Sequence, residues 1–425
     1  MTDLERLATN SRIREHGRLT KLKRKSQLCR VFRVKIDTSH MNQSQILRLK
    51  MLFVEAKCLY NFALSFMSEH DINHFDTKIS TVQTLDKDRQ PVVHQLQYLG
   101  SQMKQAVIQG IKHSLKALAV PKAGNHEVGG LSYKSEYVSI NLQQFGATYR
   151  FYDEHHIGIQ GFKERIRIKG ASQFWNIPDL EFANAELLNL PDGFYLAVTT
   201  YNNKGGEQKN YKPEIGIDMG IKTSVITSDG RKYKVFVEES ERLKKCQRII
   251  VRRKKGSNNR YKAVKKLRRA YQKLTSRKRD AANKIVHDLL EHEHVYMQDE
   301  NLNGWHKGLF GRTVQHSVLG LVKAKLVKHE RVRVLPASAP TTKYCPECGK
   351  LKKDITLADQ VYSCSCEYSE DRDIHAARNM ILLGKNSTCG TQGSNAFGEN
   401  VRQHESQDLC CSLIELGSPR FSKRG

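Results

Sequence analysis

The stretch that decides the fold is CPECGKLKKDITLADQVYSCSCEYSEDRDIHAARNM, residues 345–380. Its four cysteines form two close pairs, Cys345 with Cys348 and Cys364 with Cys366. Four thiolates can hold one Zn²⁺ tetrahedrally, and Cys-Pro-x-Cys-Gly is typical of a tight turn whose backbone amides point at sulfur. The second pair, Cys-x-Cys, has one residue between its cysteines instead of the usual two. The stretch therefore predicts one structural zinc site, and four unrelated thiols are the alternative interpretation.

The composition indicates a multidomain protein that binds a polyanion. The chain has 425 residues, more than the roughly 250–300 at which a single core stops growing. Lys and Arg number 71 against 44 Asp and Glu, a net charge of +27 spread through most of the chain. Each phosphate contact releases counterions and favours binding without sequence information. Nucleic acid is therefore the expected partner.

The sequence favours a protein that stays in the compartment where it is made. No run of about 18 apolar residues is present, and the first residues lack the apolar core of a signal peptide. We expect no membrane partner for it. The cysteines outside the two pairs show no regular spacing, which fits a reducing interior better than a disulfide framework.

The first half of the chain combines strand and helix patterns. Residues 1–26 are polar and basic and are interpreted as a mobile arm. Residues 28–37 alternate apolar and basic side chains as a half-buried strand does, and Ser39 or Asn42 then caps a helix. A second helix is predicted over residues 96–118. Short apolar runs separated by Gly, Asn, Asp and Pro predict the strands of a small barrel or sheet between residues 136 and 200, so the helices interrupt a β-domain.

The second half begins after a polar linker over residues 204–210. The sequence EIGIDMGIKTSVITSDGRKYKVF, residues 214–236, predicts a strand, a turn and a second strand. Between Val251 and Asp280 stand fourteen Lys and Arg and one acid, which predicts a phosphate-facing helix, with a solvated surface helix as the alternative. HVYMQ, ending at Gln298, and RVRVLPAS, just before the cysteines, predict further strands.

Three carboxylates occupy comparable positions although they are far apart in sequence. Asp218 lies inside the apolar strand IGIDMG, Glu300 follows HVYMQ, and Asp373 begins the helical pattern. A carboxylate in an apolar strand is costly unless a cation compensates it. Three such groups suit Mg²⁺, and two ions about 4 Å apart cleave phosphodiesters by activating water and stabilising the leaving oxygen. We expect Asp218 to bridge both ions, with Glu300 and Asp373 each completing one; a surface carboxylate or helix cap is the alternative for each acid.

The order of these motifs resembles the TnpB family of transposon-encoded, RNA-guided DNA endonucleases and the related compact type V CRISPR nucleases. The residues that carry the resemblance are GIDMG with SDG, then ENLN, then CPECG, CSC and DRDIHAARNM. The N-terminal RVFRVKIDTSHMNQSQILRLKMLFVEAKCLYNFAL is similar to the family's first strand and recognition helix, so the likeness covers about residues 30–383. Asp218, Glu300 and Asp373 match the family's catalytic acids, whereas the adjacent Asp299 and Asp371 do not.

The resemblance implies a multidomain α/β and α+β protein. It implies a ribonuclease H-like RuvC nuclease domain with a zinc-ribbon-type insertion, plus a wedge-like β-barrel with an inserted helical recognition domain. The expected boundaries are a basic arm (1–26), the wedge (27–38 and 136–203), the recognition domain (39–135), RuvC (211–340 and 367–384), the zinc insertion (341–366) and a disordered tail (385–425).

The resemblance also implies partners and an activity. The expected partners are a guide RNA derived from the transposon end and target double-stranded DNA, cut beside a short target-adjacent motif with two catalytic Mg²⁺ and one structural Zn²⁺. The chain departs from the family in its Cys364-x-Cys366 pair and in His375, where the family usually has Asn. Two alternatives remain: a nuclease-inactive RNA-guided repressor, and a transposase that acts by strand transfer.

Overall fold

The computed structural model describes residues 3–85, 90–124, 127–203, 210–221, 225–234, 236–308, 310–352, 354–356 and 359–388. The backbone divides into two compact units. The first comprises Met1–Gln208 and Cys246–Gln272, and the second comprises Lys209–Lys245 and Lys273–Gly425. The predicted linker up to residue 209, and the predicted tail after Thr388, lie outside the described residues.

The N-terminal part of the first unit mixes helices with short strands. Its elements are α1 (Asp3–Ser26), β1 (Gln27–Ile36), α2 (Gln43–Phe66), β2 (Thr81–Leu85), β3 (Pro91–Gln95), α3 (Ser101–Ala123), β4 (Ser139–Leu142), β5 (Tyr149–Asp153), β6 (His156–Ile159), β7 (Ile166–Lys169), α4 (Ser172–Trp175), β8 (Glu181–Leu190) and β9 (Gly193–Asn203).

Seven of these strands form one sheet in the order β4-β8-β9-β1-β7-β6-β5. Strand β1 lies at its centre, pairing antiparallel with β9 from Gln27 to Lys35 and with β7 at Lys35 and Ile36. The edge strands β4 and β5 are joined by residues 143–148, where Phe145 bridges to Tyr149, so the sheet curls into a near-barrel. The strands predicted over residues 28–37 and between 136 and 200 are confirmed.

Helix α2 packs against this sheet and organises the segment that follows it. It begins at a capping box, in which Asn42 accepts from the Gln45 N–H and the Gln45 side chain accepts from the Asn42 N–H. The cap is therefore Asn42 and not Ser39. Glu55 is 2% exposed, yet its carboxylate accepts the backbone N–H groups of residues 97–99 at 2.9–3.1 Å. A buried carboxylate is tolerated here because these donors satisfy it.

Three features of this unit differ from the sequence-based expectations. Residues 3–26, interpreted from the sequence as part of a mobile arm, form the 24-residue helix α1; this helix lacks an apolar stripe, so periodicity gave no signal. The second predicted helix begins at Ser101 rather than residue 96, since Glu55 holds residues 97–99 outside the helix. The region predicted as helical also contains the β2–β3 hairpin.

The second unit contains the predicted acidic and cysteine residues. In chain order, this part of the sequence forms β10 (Ile215–Asp218), β11 (Val225–Thr227), β12 (Lys232–Tyr233), α5 (Glu241–Arg252), α6 (Asn258–Leu289), β13 (Val295–Gln298), α7 (Leu302–Lys307), α8 (Gly311–His316), α9 (Leu319–Leu326), β14 (Val332–Leu335), β15 (Val361–Ser363), β16 (Ser369–Asp371) and α10 (Arg372–Thr388).

A five-stranded sheet forms the core of this unit, in the order β12-β11-β10-β13-β14. Strands β10, β13 and β14 are parallel to one another, whereas β11 and β12 are antiparallel additions beside β10. All four residues of β13 are buried, as expected for a strand covered on both faces. The strands predicted at IGID, at HVYMQ and at RVRVL are confirmed.

The basic segment forms two helices, α5 and α6. Ser257 Oγ accepts from the Arg260 N–H at 3.2 Å at the start of α6. The helix predicted for the second half of this segment is confirmed, and the first half is also largely helical. Both units draw residues from α5 and α6.

Helix α10 lies directly against β10 because Gly216 has no side chain. A Cβ placed at Gly216 would stand 1.8 Å from the Ala377 carbonyl oxygen and 2.8 Å from its carbonyl carbon. Ala376 and Ala377 are fully buried at the same contact. The small residues of HAARNM therefore set the distance between this helix and the sheet.

We expect Gly216→Ala to destabilise the second unit, because backbone atoms of α10 must move to admit the methyl group. Overpacking of this kind costs on the order of 3 kcal/mol, which corresponds to a fall in Tm of about 6–12 °C for a unit of this size. The matched control is Gly320→Ala on α9, where a Cβ meets nothing within 4 Å. Equal melting temperatures for the two variants, measured by thermal denaturation, would contradict the close contact.

Candidate active site

Asp218 is the last residue of β10, the central strand of the five-stranded sheet. The residues before it, Ile215 and Ile217, are almost completely buried, so the strand is held in place by its apolar side chains. Asp218 pairs with Ile226 of β11 in the backbone register. Its carboxylate therefore sits at the carboxyl edge of the sheet.

Glu300 lies two residues beyond β13, the strand parallel to β10, so it reaches the same edge of the sheet. Lys323 of α9 fixes this turn, donating to the Glu300 carbonyl oxygen and to Asp299 Oδ1, both at 2.6 Å. Burial raises the pKa of Glu300, although the charge of Lys323 opposes this. The neighbouring Asp299 side chain is 63% exposed and paired with Lys323.

Asp373 is the second residue of α10, where the helix begins. Asp371 Oδ1 accepts the backbone N–H groups of Asp373 and Ile374 at 3.0 and 3.4 Å and so caps the helix, while Lys232 holds its other oxygen at 2.9 Å. Asp371 is therefore engaged in structure. The Asp373 carboxylate contacts the neighbouring Arg372 guanidinium at 3.3 Å.

The contact between α10 and β10 brings two of the three carboxylates toward each other. Asp373 lies one helical turn before Ala377, so these two residues are on the same face of α10. Asp218 lies two residues after Gly216, so these two residues are on the same face of the sheet, the face that contacts α10. The pKa of Asp218 is raised to about 7, mainly by burial and then by the negative charges of Asp373 and Glu300, and Arg372 partly offsets this. All three predicted acids thus share one electrostatic environment.

The carboxylates are less tightly gathered than the cysteines. In the part of the chain that the structure describes, the thiols are the only group of three or more Cys, His, Asp or Glu whose ligand atoms all lie within 4.8 Å of one another. A site for two ions about 4 Å apart allows its outer ligands a wider separation. The chemistry of the donor set, oxygen only, fits hard cations such as Mg²⁺.

The four cysteines fit a single zinc ion. Cys345 Sγ lies 3.6 Å from Cys366 Sγ, and Cys348 Sγ lies 3.5 Å from Cys364 Sγ. A tetrahedral zinc with bonds of about 2.3 Å separates its sulfurs by about 3.8 Å. The pKa of Cys364 is lowered to about 6, first because the Cys366 backbone N–H donates to its sulfur, which favours the thiolate that a metal requires.

The shorter second pair is accommodated by an earlier turn. The first knuckle closes at Gly349, four residues after Cys345, with φ of +71° and its N–H donating to the Cys345 carbonyl at 3.0 Å. The second closes at Glu367, three residues after Cys364, also with φ of +71°. This left-handed backbone is uncommon for a residue with a side chain. The turn that accommodates the single residue between Cys364 and Cys366 is therefore strained at Glu367.

His375 and Asn379 attach the cysteine-bearing segment to α10. The His375 ring is fully buried and stacks on Tyr362 of β15, with centroids 3.8 Å apart and planes at 13°. Asn379 donates to the carbonyl oxygens of Thr341 and Tyr344, each at 2.7 Å. Sequence reasoning identified His375 only as a departure from a pattern and missed Asn379, Arg372 and Lys323, because no local motif marks them.

No helix among the described residues is long and apolar enough to span a bilayer.

Comparison with known proteins gives two family matches in the second half of the chain. The family model OrfB_IS605, described as "Probable transposase", matches residues 198–299. The model described as "Cas12f1-like, TNB domain" matches residues 319–380. Asp218 falls in the first match, and Asp373 and all four cysteines fall in the second, whereas Glu300 lies one residue beyond the first.

Two relatives are named as putative RNA-guided DNA endonucleases. A protein of Streptomyces pristinaespiralis named "Putative RNA-guided DNA endonuclease" is 31% identical over 187 residues, which are 41% of this chain and 46% of the relative. "Putative RNA-guided DNA endonuclease InsQ" of Escherichia coli (strain K12) is 23% identical over 217 residues, 45% of this chain and 54% of the relative. The matched part of the chain thus spans about half the length of these relatives.

Among solved structures, the one described as "Cryo-EM structure of the Cas12f1-sgRNA-target DNA complex" aligns with a TM-score of 0.48 at 12% identity. The alignment covers 84% of this chain and 99% of that chain.

We expect purified protein to contain about one zinc per chain by elemental analysis. Cys345→Ser removes a sulfur that is completely buried, and because metal binding by such sites supplies folding free energy, zinc should be lost and residues 341–371 should become sensitive to protease. Cys29→Ser, at an exposed cysteine of β1, is the control and should retain the metal. Full zinc content in the Cys345 variant would show that the thiols do not form one site.

Proposed function

We propose that this chain is a TnpB-like protein and that it acts as an RNA-guided DNA endonuclease of a transposable element. The proposal rests on the two family matches, which together contain the cysteines and two of the three acids. The names of both relatives support it. The excess of 71 Lys and Arg over 44 Asp and Glu fits phosphate-bearing partners.

We assign a ribonuclease H-like RuvC fold to the second unit. The support is its sheet order, in which an antiparallel ribbon, β12-β11-β10, continues into the parallel strands β13 and β14, with α10 packed on β10. The wedge assignment for the first unit is supported by the near-barrel sheet, interrupted after β1 by α2, the β2–β3 hairpin and α3.

The observation that carries the nuclease assignment is geometric: Asp218 and Glu300 lie at the same edge of the sheet, and Asp373 begins the helix that packs on β10. Burial and the negative charges of the other two acids raise the pKa of Asp218 to about 7. Such an accumulation of negative charge is unfavourable in the protein alone and becomes favourable when cations occupy it. We infer that Asp218, Glu300 and Asp373 would together hold two Mg²⁺.

The bound ions would activate a water molecule and stabilise the leaving oxygen of a phosphodiester. The protein's own residues have separate roles. Lys323 donates to the carbonyl oxygen of Glu300 and so fixes the backbone of Glu300. Asp371 caps α10 and so fixes the position of Asp373. Arg372 donates to Asp373 Oδ1 and to the Thr356 carbonyl oxygen, each at 3.3 Å, and its positive charge partly offsets the rise in the pKa of Asp218.

The proposed partners are a guide RNA derived from the transposon end and target DNA next to a short adjacent motif. Pairing with the guide would supply most of the sequence specificity, which leaves the protein to recognise nucleic-acid shape and the flank. Zinc is structural in this scheme. We place the protein in the prokaryotic cytoplasm, associated with the nucleoid when it is bound to DNA.

A transposase acting by strand transfer is the second candidate, because the first family model is described as "Probable transposase". The two are separated by purifying the protein from cells that carry its native locus and sequencing the RNA that copurifies. A bound RNA from the locus, with cleavage of a matching target in Mg²⁺, supports the endonuclease. Absence of RNA contradicts guided recognition, and bound RNA without cleavage of any target identifies a repressor.

We expect Asp218→Asn to abolish cleavage and leave RNA binding unchanged, since it removes a metal ligand and no basic residue. The loss of metal-ion stabilisation, several kcal/mol, corresponds to at least about a thousandfold in rate. A second readout is stability: Mg²⁺ should raise the Tm of the unaltered protein and not of the variant.

Asp299→Asn is the matched control, because it changes the adjacent carboxylate that is exposed and paired with Lys323. It should cut at a rate within a few fold of the unaltered protein. Normal cleavage by the Asp218 variant, or equal loss in both variants, would refute the assignment of Asp218 as a ligand.

A further inference from the structure

Helix α1 carries a row of cations along one face. Arg14, Arg18, Lys21 and Lys25 are spaced by four, three and four residues, which places them in a single stripe on a helix of 3.6 residues per turn. All four side chains are exposed. With a rise of about 1.5 Å per residue, the stripe is about 16 Å long. We call these four residues the α1 stripe.

The other side of α1 is attached to the near-barrel sheet. Lys23, half a turn around the helix from the stripe, donates to Glu181 of β8 at 2.6 Å, and the Arg24 guanidinium lies 4.4 Å from the centroid of the Tyr201 ring of β9. Gln27, the first residue of β1, also donates to Glu181 at 2.8 Å. These contacts fix the orientation of the helix, so the stripe faces away from the sheet.

The stripe is unfavourable for the helix itself. Like charges three and four residues apart destabilise a helix by about 0.2–0.5 kcal/mol for each pair, and the Glu15–Arg18 contact at 3.0 Å offsets some of this repulsion. Gly17, between Arg14 and Arg18 in the chain, lowers the stability of the helix by about 0.5–1 kcal/mol relative to alanine. An anionic surface that offsets these terms is the natural partner.

We propose that the α1 stripe binds the phosphate backbone of duplex nucleic acid. A straight row of cations about 16 Å long matches a stiff duplex, in which about five phosphates of each strand occupy that length of axis. Single strands are bound instead by stacking on aromatic rings, and residues 9–26 contain no Phe, Tyr or Trp. The contact requires no cleavage activity and does not depend on the acidic site.

The test is equilibrium binding of the full chain, without Mg²⁺, to a duplex DNA and a duplex RNA of the same arbitrary sequence. The variant combines Arg14→Gln, Arg18→Gln, Lys21→Gln and Lys25→Gln. Because each phosphate contact contributes about 0.9 to the slope of log K against log salt, the slope on DNA should become shallower by about 3–4. Between about 50 and 200 mM salt, the variant should lose about a hundredfold less affinity than the unaltered protein.

Two single variants are matched for charge. Arg14→Gln removes one cation of the stripe, and Arg12→Gln removes one from nearly the opposite face of the same helix; both side chains are exposed. The first should reduce the salt slope by about 1 and the second should leave it unchanged. Equal effects of the two would refute a directional contact. Thermal denaturation checks that every variant is folded.

The two duplexes and a lipid surface identify the partner. A loss on duplex DNA, on duplex RNA or on both supports the proposal and shows which duplex the helix contacts. An unchanged salt slope on both duplexes overturns it. Leu19 and Leu22 are each 53% exposed on α1, so vesicles containing phosphatidylserine are included; a loss confined to vesicles would assign the helix to a membrane surface and also overturn the proposal.

Discussion

The backbone contact between Gly216 of β10 and Ala377 of α10 is the constraint on which the rest of the second unit depends. A methyl group at Gly216 would overlap the Ala377 carbonyl, so the helix lies as close to the strand as a polypeptide permits. Asp218 and Asp373 are each a short, fixed step along the chain from this contact. Their separation is therefore set by rigid secondary structure and not by a loop, which is what a metal site with defined geometry requires.

The same helix anchors the cysteine-bearing segment. The buried stack of His375 on Tyr362, and the two hydrogen bonds from Asn379, hold the segment against α10 through contacts that do not involve sulfur. Asp371 is the last residue of β16 and also caps α10, which begins at the next residue. A change in the cysteine-bearing segment would thus reach the helix that carries Asp373, because the two share a buried polar network.

The acidic site and the α1 stripe differ in how their like charges are placed. At the acidic site, burial and like charges raise the pKa of Asp218, so the protein stores electrostatic repulsion that a bound cation would relieve. On α1, the stripe stores a smaller repulsion between exposed cations, which water and salt screen. The first feature favours a few tightly held divalent ions, and the second favours a long anionic surface whose binding falls with salt.

The sequence by itself determined the identity of the groups: two cysteine pairs at metal-ligand spacing, apolar strands that end in carboxylates, and an excess of cations. These are local features: period-two alternation located β1, short apolar runs located β10 and β13, and capping residues located the start of α2. The helical state of α1 escaped prediction because it has no apolar stripe, and its attachment to Glu181 and Tyr201 is remote in sequence. Tertiary structure alone decided that Asp373 approaches Asp218, that Asp371 and Asp299 are occupied by a cap and by a lysine, and that His375 is a packing residue. Each of these depends on which segments meet, and the approach of Asp373 to Asp218 is set by the close packing of α10 on a glycine some 160 residues earlier in the chain.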